Sequence, residues 1–141
     1  MVIGGIIDER NRLWVKVMVA GYHASKEIRF RVDTAFDGEL SIPVSLAVPL
    51  GLALVGESEY GIGGGGTNRP LKFTASIQWG TKNRLTTVDV DQTPTPLMGL
   101  GLLNRYILLA DFDKKTLIIK EPENGQKEIE KKAEEEPEKK V

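Results

Sequence analysis

Leu71, Phe73, Ala75, Ile77 and Trp79 place an apolar side chain at every second position, so one face of the segment seeks a core while the other stays wet. A strand satisfies that period and a helix does not. Leu13 to Val19 repeats the pattern with β-branched residues, and Glu27 to Val32 reads as the next strand after a turn at Gly21 to Lys26. Glu39 to Pro43 makes a short strand, and Val44 to Leu50 can wind into one or two helical turns before Gly51. Alternation resumes from Leu52 to Tyr60, breaks at the run Gly61 to Gly66 and returns at Leu71, which describes a hairpin with a glycine tip. After a turn at Gly80 to Asn83 come a strand at Leu85 to Val90 and an irregular approach through Pro94 and Pro96 to Leu97-Met98-Gly99. A short helix near Leu100 to Tyr106 follows. Ile107 to Phe112 and Thr116 to Ile119, joined by Asp113-Lys114-Lys115, form a last hairpin. Many short strands at this spacing predict an all-β, barrel-like domain.

With 141 residues and 40% apolar content the chain can bury one core, which we place in residues 1–120. From Glu121 the composition turns to Glu, Lys, Pro, Asn and Gly, too polar to offset the entropy of ordering, so residues 121–141 read as a charged, disordered tail. The tail takes most of the charge imbalance and leaves residues 1–120 close to neutral. No dense basic stripe interleaved with aromatics is present, so nucleic acid is not an expected partner. The chain has no cysteine, which removes disulfide scaffolds, thiol nucleophiles and cysteine-ligated zinc. Val2 to Ile7 is too short and lacks the basic flank of an export signal, and Ile42 to Val55 is interrupted by Pro43, Pro49 and Gly51. A cytoplasmic protein without a membrane partner is the expectation.

The candidate chemistry lies at Asp33-Thr34-Ala35, which closes the run Ile28 to Val32 and precedes Phe36-Asp37-Gly38. A carboxylate at the mouth of a buried strand, held by a small hydroxyl residue and a tight turn, suits an acid/base group that meets a partner carboxylate at close range. The tripeptide occurs once, so the second aspartate would come from a second copy of the chain. Other constellations are weaker. A Ser-His-Asp triad would depend on His23, the single histidine, which lies in a turn. Gly61 to Gly66 lacks the Lys-Ser/Thr and the following helix of a phosphate loop. Asp89 and Asp91 alternate with Val88 and Val90 and read as solvated charges on the outward face, Asp111 and Asp113 as turn caps, and Trp14 and Trp79 as core or interface aromatics.

Three elements in order, Val32-Asp33-Thr34-Ala35 with Phe36-Asp37-Gly38, the glycine run at 61–66, and Leu97-Met98-Gly99 leading into a short helix, resemble the retroviral-type (retropepsin-like, clan AA) aspartic proteases. The resemblance covers most of residues 13–119. It implies a retropepsin-like closed β-barrel with a flap hairpin and one short helix, acting as a homodimeric endopeptidase on a peptide or protein substrate without metal or cofactor. Asp33 would be catalytic, and Thr34, Ala35 and Gly99 would support the site. Asp37 with Ile62, Gly63 and Gly64 of the flap would bind substrate. Two carboxylates about 3 Å apart cannot both ionise and therefore share a proton, which makes one an acid and the other a base. The chain departs from the family pattern at Ala35, where glycine is usual, and at Leu100, where an arginine often follows the glycine. Its charged C-terminal segment also differs from the retroviral termini, which interleave in a sheet between subunits. These departures keep a second reading open, a protease-like module that dimerises or binds extended peptides without cleaving them.

Overall fold

A computed structural model describes residues 1–57 and 70–123, together with residues 132 and 134. Ten strands and two short helices follow one another as β1 (Val2–Ile7), β2 (Leu13–Ala20), β3 (Ser25–Val32), β4 (Leu40–Pro43), α1 (Val44–Leu50), β5 (Ala53–Glu57), β6 (Leu71–Trp79), β7 (Lys82–Asp91), β8 (Leu97–Met98), α2 (Leu100–Leu103), β9 (Ile107–Asp111) and β10 (Thr116–Lys120). They form one sheet in the order β5-β6-β7-β4-β8-β3-β2-β1-β10-β9, and a further pairing of β6 with β2 closes its middle into a barrel. The closing contact aligns Val19 with Ile77 and Ala20 with Ser76. Closure removes open edges from the core strands.

The period-two pattern explains which side chains fill the barrel. Val15, Val17 and Val19 of β2 face inward with Ile28 and Phe30 of β3, Leu40 and Ile42 of β4, Ala75, Ile77 and Trp79 of β6, and Val88 and Val90 of β7. Each such side chain contributes about 1.5–3 kcal/mol when fully buried. The β6–β7 hairpin turns in two residues, Gly80 and Thr81, with positive φ at Gly80 (65°) where a primed turn needs it. At the β9–β10 turn the Asp111 carboxylate accepts hydrogen bonds from the amides of Asp113 (3.1 Å) and Lys114 (2.9 Å), the capping role its sequence implies.

Several elements differ from the sequence reading. Val2 to Ile7, given no element in the sequence reading, is a strand paired with β10 from Val2↔Lys120 to Ile6↔Thr116. Both expected helices form, α1 over Val44–Leu50 and α2 over Leu100–Leu103, the latter stopping short of Tyr106. Asp89 does alternate outward from the barrel but is only 4% exposed, so it is not a solvated surface charge. It stands between Ser41 of β4, itself buried, and Lys72 of β6 in adjacent registers. Asp91 is half-buried and accepts the amide of Thr93 at 2.8 Å. No helix among the described residues is long and apolar enough to cross a membrane. The flap tip at 61–66 lies outside the described residues, as does most of the expected tail.

Candidate active site

Asp33 sits where three strands converge. The two-residue strand β8 inserts between β3, to which it is parallel through Arg31↔Leu97 and Val32↔Met98, and β4, to which it is antiparallel through Leu40↔Met98 and Ser41↔Leu97. The segment 33–39 must therefore leave β3, cross over the end of β8 and return on its far side. Backbone bonds hold both flanks of the crossing. The Asp33 amide donates to the Met98 carbonyl (2.9 Å) and the Gly99 amide to the Glu39 carbonyl (2.9 Å).

Beyond β8 the loop lies directly on the start of α2. The Leu100 amide donates to the Phe36 carbonyl at 2.7 Å and the Gly101 amide to the Gly38 carbonyl at 3.0 Å. Gly99 has ordinary extended backbone (φ −104°), so its role is close approach and not unusual torsion. A Cβ there would overlap the Gly38 carbonyl oxygen and come within 2.6 Å of that of Phe36. Gly101 is tight as well, with an added Cβ 2.8 Å from the Asp37 carbonyl oxygen. The apolar-apolar-glycine element thus supplies the surface on which the Asp33 loop is moulded.

Within the loop, the Asp33 carboxylate accepts the Ala35 amide through Oδ1 at 3.0 Å, and the Phe36 amide closes a turn onto the Asp33 carbonyl at 3.1 Å. This fixes the carboxylate's direction, and no described residue donates to Oδ2. Asp33 is half-buried, while Thr34 and Ala35 are exposed at the crest of the loop. Ala35 is not among the residues with positive φ, so the methyl group that replaces the usual hydrogen brings no backbone strain and points away from the chain's own core. Asp37 is exposed and Leu100 is 42% exposed, so the structure joins no cationic side chain to Asp37 from the position after Gly99. Ile62, Gly63 and Gly64 fall outside the described residues. The base of their hairpin, β5 and β6, is in place, with a register shift between Leu54 and Gly56. Between that base and the β7–β8 connection lies an open cleft of about 640 Å³, walled by Leu71, Val90, Asp91 and Thr93.

Sequence reasoning missed two contributors. Gly101 could have been read from the Gly-Leu-Gly spacing. Glu39 gave no local signal, yet its carboxylate accepts Arg84 Nη2 (2.8 Å), the Thr87 amide (3.0 Å) and Thr87 Oγ1 (3.0 Å), which pins the returning end of the loop to β7. His23 belongs elsewhere. Its amide donates to Leu50 (3.0 Å) and its ring packs on Gly51, at the end of β3 opposite Asp33.

A barrel fold of this kind recurs in solved structures. A crystal structure of a retropepsin-like aspartic protease from Rickettsia conorii superposes with a TM-score of 0.61 at 20% identity, over 84% of this chain and 90% of that one. The fold is retropepsin-like. EIAV protease complexed with the inhibitor HBY-793 superposes with a TM-score of 0.52 at 18% identity, over 69% of this chain and 89% of that protein. No protein-family model and no curated protein matches the sequence. The retropepsin-like fold is thus expressed in a sequence far from both structural relatives, with the Asp33 loop and Gly99 at the crossing of β3, β8 and β4.

Proposed function

We propose that the chain is an aspartic endopeptidase that works as a homodimer, with one Asp33 from each copy forming the catalytic pair. The supporting observation is the fixed Asp33 carboxylate, held by the Ala35 amide at the point where β3, β8 and the returning loop meet, in a fold shared with aspartic proteases. Two such carboxylates face to face share a proton. The ionised one takes a proton from a water whose oxygen attacks the scissile carbonyl carbon. The protonated one gives its proton to the developing oxyanion, and the tetrahedral intermediate collapses as a proton passes to the departing amine. Thr34, on the exposed crest beside Asp33, holds the two loops in register across the two-fold axis. Ala35 and Gly99 shape the floor, and Asp37 with Ile62, Gly63 and Gly64 of the flap holds the substrate main chain.

Asp33→Asn removes the acid/base pair while keeping the size of the side chain. Peptide hydrolysis is expected to fall by about 10²–10⁴-fold, the usual worth of positioned acid/base groups, with circular dichroism and sedimentation unchanged. Undiminished hydrolysis by that variant would refute the proposal. The second reading, a module that binds extended peptides without cleaving them, draws on Ala35 and on Leu100 in place of an arginine, which leaves Asp37 without a cationic partner from that position. Peptide binding by the native chain with no turnover over a broad library would favour it.

A further inference from the structure

Toward the Asp33 loop the outer face of β2 and β3 turns basic, with Glu27 on the same face one step further from the loop than Arg29 and opposite Met18. Ile28 and Phe30 point into the core, so Arg29 and Arg31 point outward. One further step of the same alternation brings Asp33 to the outer side, about 7 Å beyond Arg31 along the strand. Across the ladder, Trp14 stands opposite Arg31 and Lys16 opposite Arg29. Two cations directly opposite on one sheet face repel each other and cost stability. Among the described residues no carboxylate lies within ion-pair distance of Lys16, Arg29 or Arg31, whereas neighbouring Arg12 has Asp8 at 2.8 Å. The Arg29 guanidinium instead lies 4.3 Å from the centroid of Trp14, and that stacking holds it in place without neutralising it. Leu97 flanks Arg31 on its other side.

We propose that Arg31, backed by Arg29 and Lys16, is a specificity subsite for an acidic side chain of the peptide, so that the chain prefers substrates with Asp or Glu beside the scissile bond. The proposal rests on the peptidase reading above. Arg31 is exposed in the ladder between Trp14 and Leu97, where its guanidinium fork can take a carboxylate bidentately. A peptide fits better than a nucleic acid, because Arg29 already occupies the face of Trp14 and no stacking platform remains.

The test uses the full chain and two degenerate peptide libraries that differ only by Glu against Gln at positions around the scissile bond. The native chain is expected to favour Glu by about tenfold or more in kcat/KM, as one charge-assisted contact provides. Arg31→Gln should lose that ratio and Arg31→Glu should reverse it toward Lys-containing peptides. Cleavage of both libraries at equal rates, or a preference that survives in Arg31→Gln, overturns the subsite and leaves the peptidase reading standing. If neither library is cleaved, the peptidase reading falls, and calorimetry with the same peptides decides the subsite separately. Tighter binding of Glu than Gln peptides that is lost in Arg31→Gln supports it, and equal affinity overturns it. Single-stranded DNA bound more tightly than any Glu peptide also overturns it.

Discussion

Gly99 and Ala35 show how differently one methyl group acts at two points of the same loop system. At Gly99 the added carbon would meet two backbone carbonyls, which cannot rotate away as a side chain could. At Ala35 the methyl is at the exposed crest with ordinary backbone torsion. Gly99→Ala should therefore cost about 1–3 kcal/mol, the usual penalty for overpacking, and should displace the Asp33 loop, lowering activity beyond any loss of folded protein. Thermal melts and kcat measured on the folded fraction check this. A Gly99→Ala variant with native stability would show that the loop yields freely and would remove Gly99 as its template. The turn at Asp33 was legible because the residues that form it are adjacent in sequence. Glu39 was not, because its partners Arg84 and Thr87 are 45 and 48 residues further along and only the barrel brings them together.

Among elements, the long alternating strands β2, β3, β6 and β7 were legible because each buries one face. β1 was obscured by Gly4 and Gly5, which give no alternation to read, although an added Cβ on Gly5 would come within 2.9 Å of Leu117 in β10. β8 has two residues, and its strand character comes entirely from insertion between β3 and β4. Asp89 was misread because the alternation gives its direction but not what covers the outer face there. The β1–β2 turn contains a further fixed point that local pattern did not announce. Asp8 accepts hydrogen bonds from the amides of Arg10 and Arg12 (2.9 Å each), from Arg12 Nε (2.8 Å) and from Trp14 Nε1 (2.9 Å). Partial burial opposes its ionisation, but these donors outweigh that and hold the carboxyl well below the usual carboxylate range. A pKa depressed by folding stabilises the protein fully above the unfolded value of about 4, and that contribution is lost as pH falls below it. Asp8→Asn should lower Tm at pH 7, and its gap to the native chain should narrow at pH 3. A gap of equal size at both pH values would show that the charge of Asp8 is not what stabilises the turn.

At the scale of the whole molecule, the retroviral way of building a dimer by interleaving chain termini meets an obstacle. β10 is paired along its length with β1 on one side and β9 on the other, so the last strand of the barrel domain has no free edge to offer a second copy. A dimer that brings two Asp33 loops together would therefore not be joined through β10, and under the proposed mechanism neither copy is active alone. Activity per chain should consequently fall on dilution, approaching proportionality to protein concentration once the pair comes apart. Mixing provides a sharper measurement, because a pair containing one Asp33→Asn chain keeps only one of the two carboxylates that the proposed mechanism requires. In an equal mixture random pairing leaves about a quarter of the dimers with both aspartates, so total activity should drop to about half that of the same amount of native chain alone at saturating concentration. Specific activity that stays constant from micromolar to nanomolar protein, together with no inhibition by the Asp33→Asn chain, would mean that one chain suffices, and the second carboxylate would have to be sought within it.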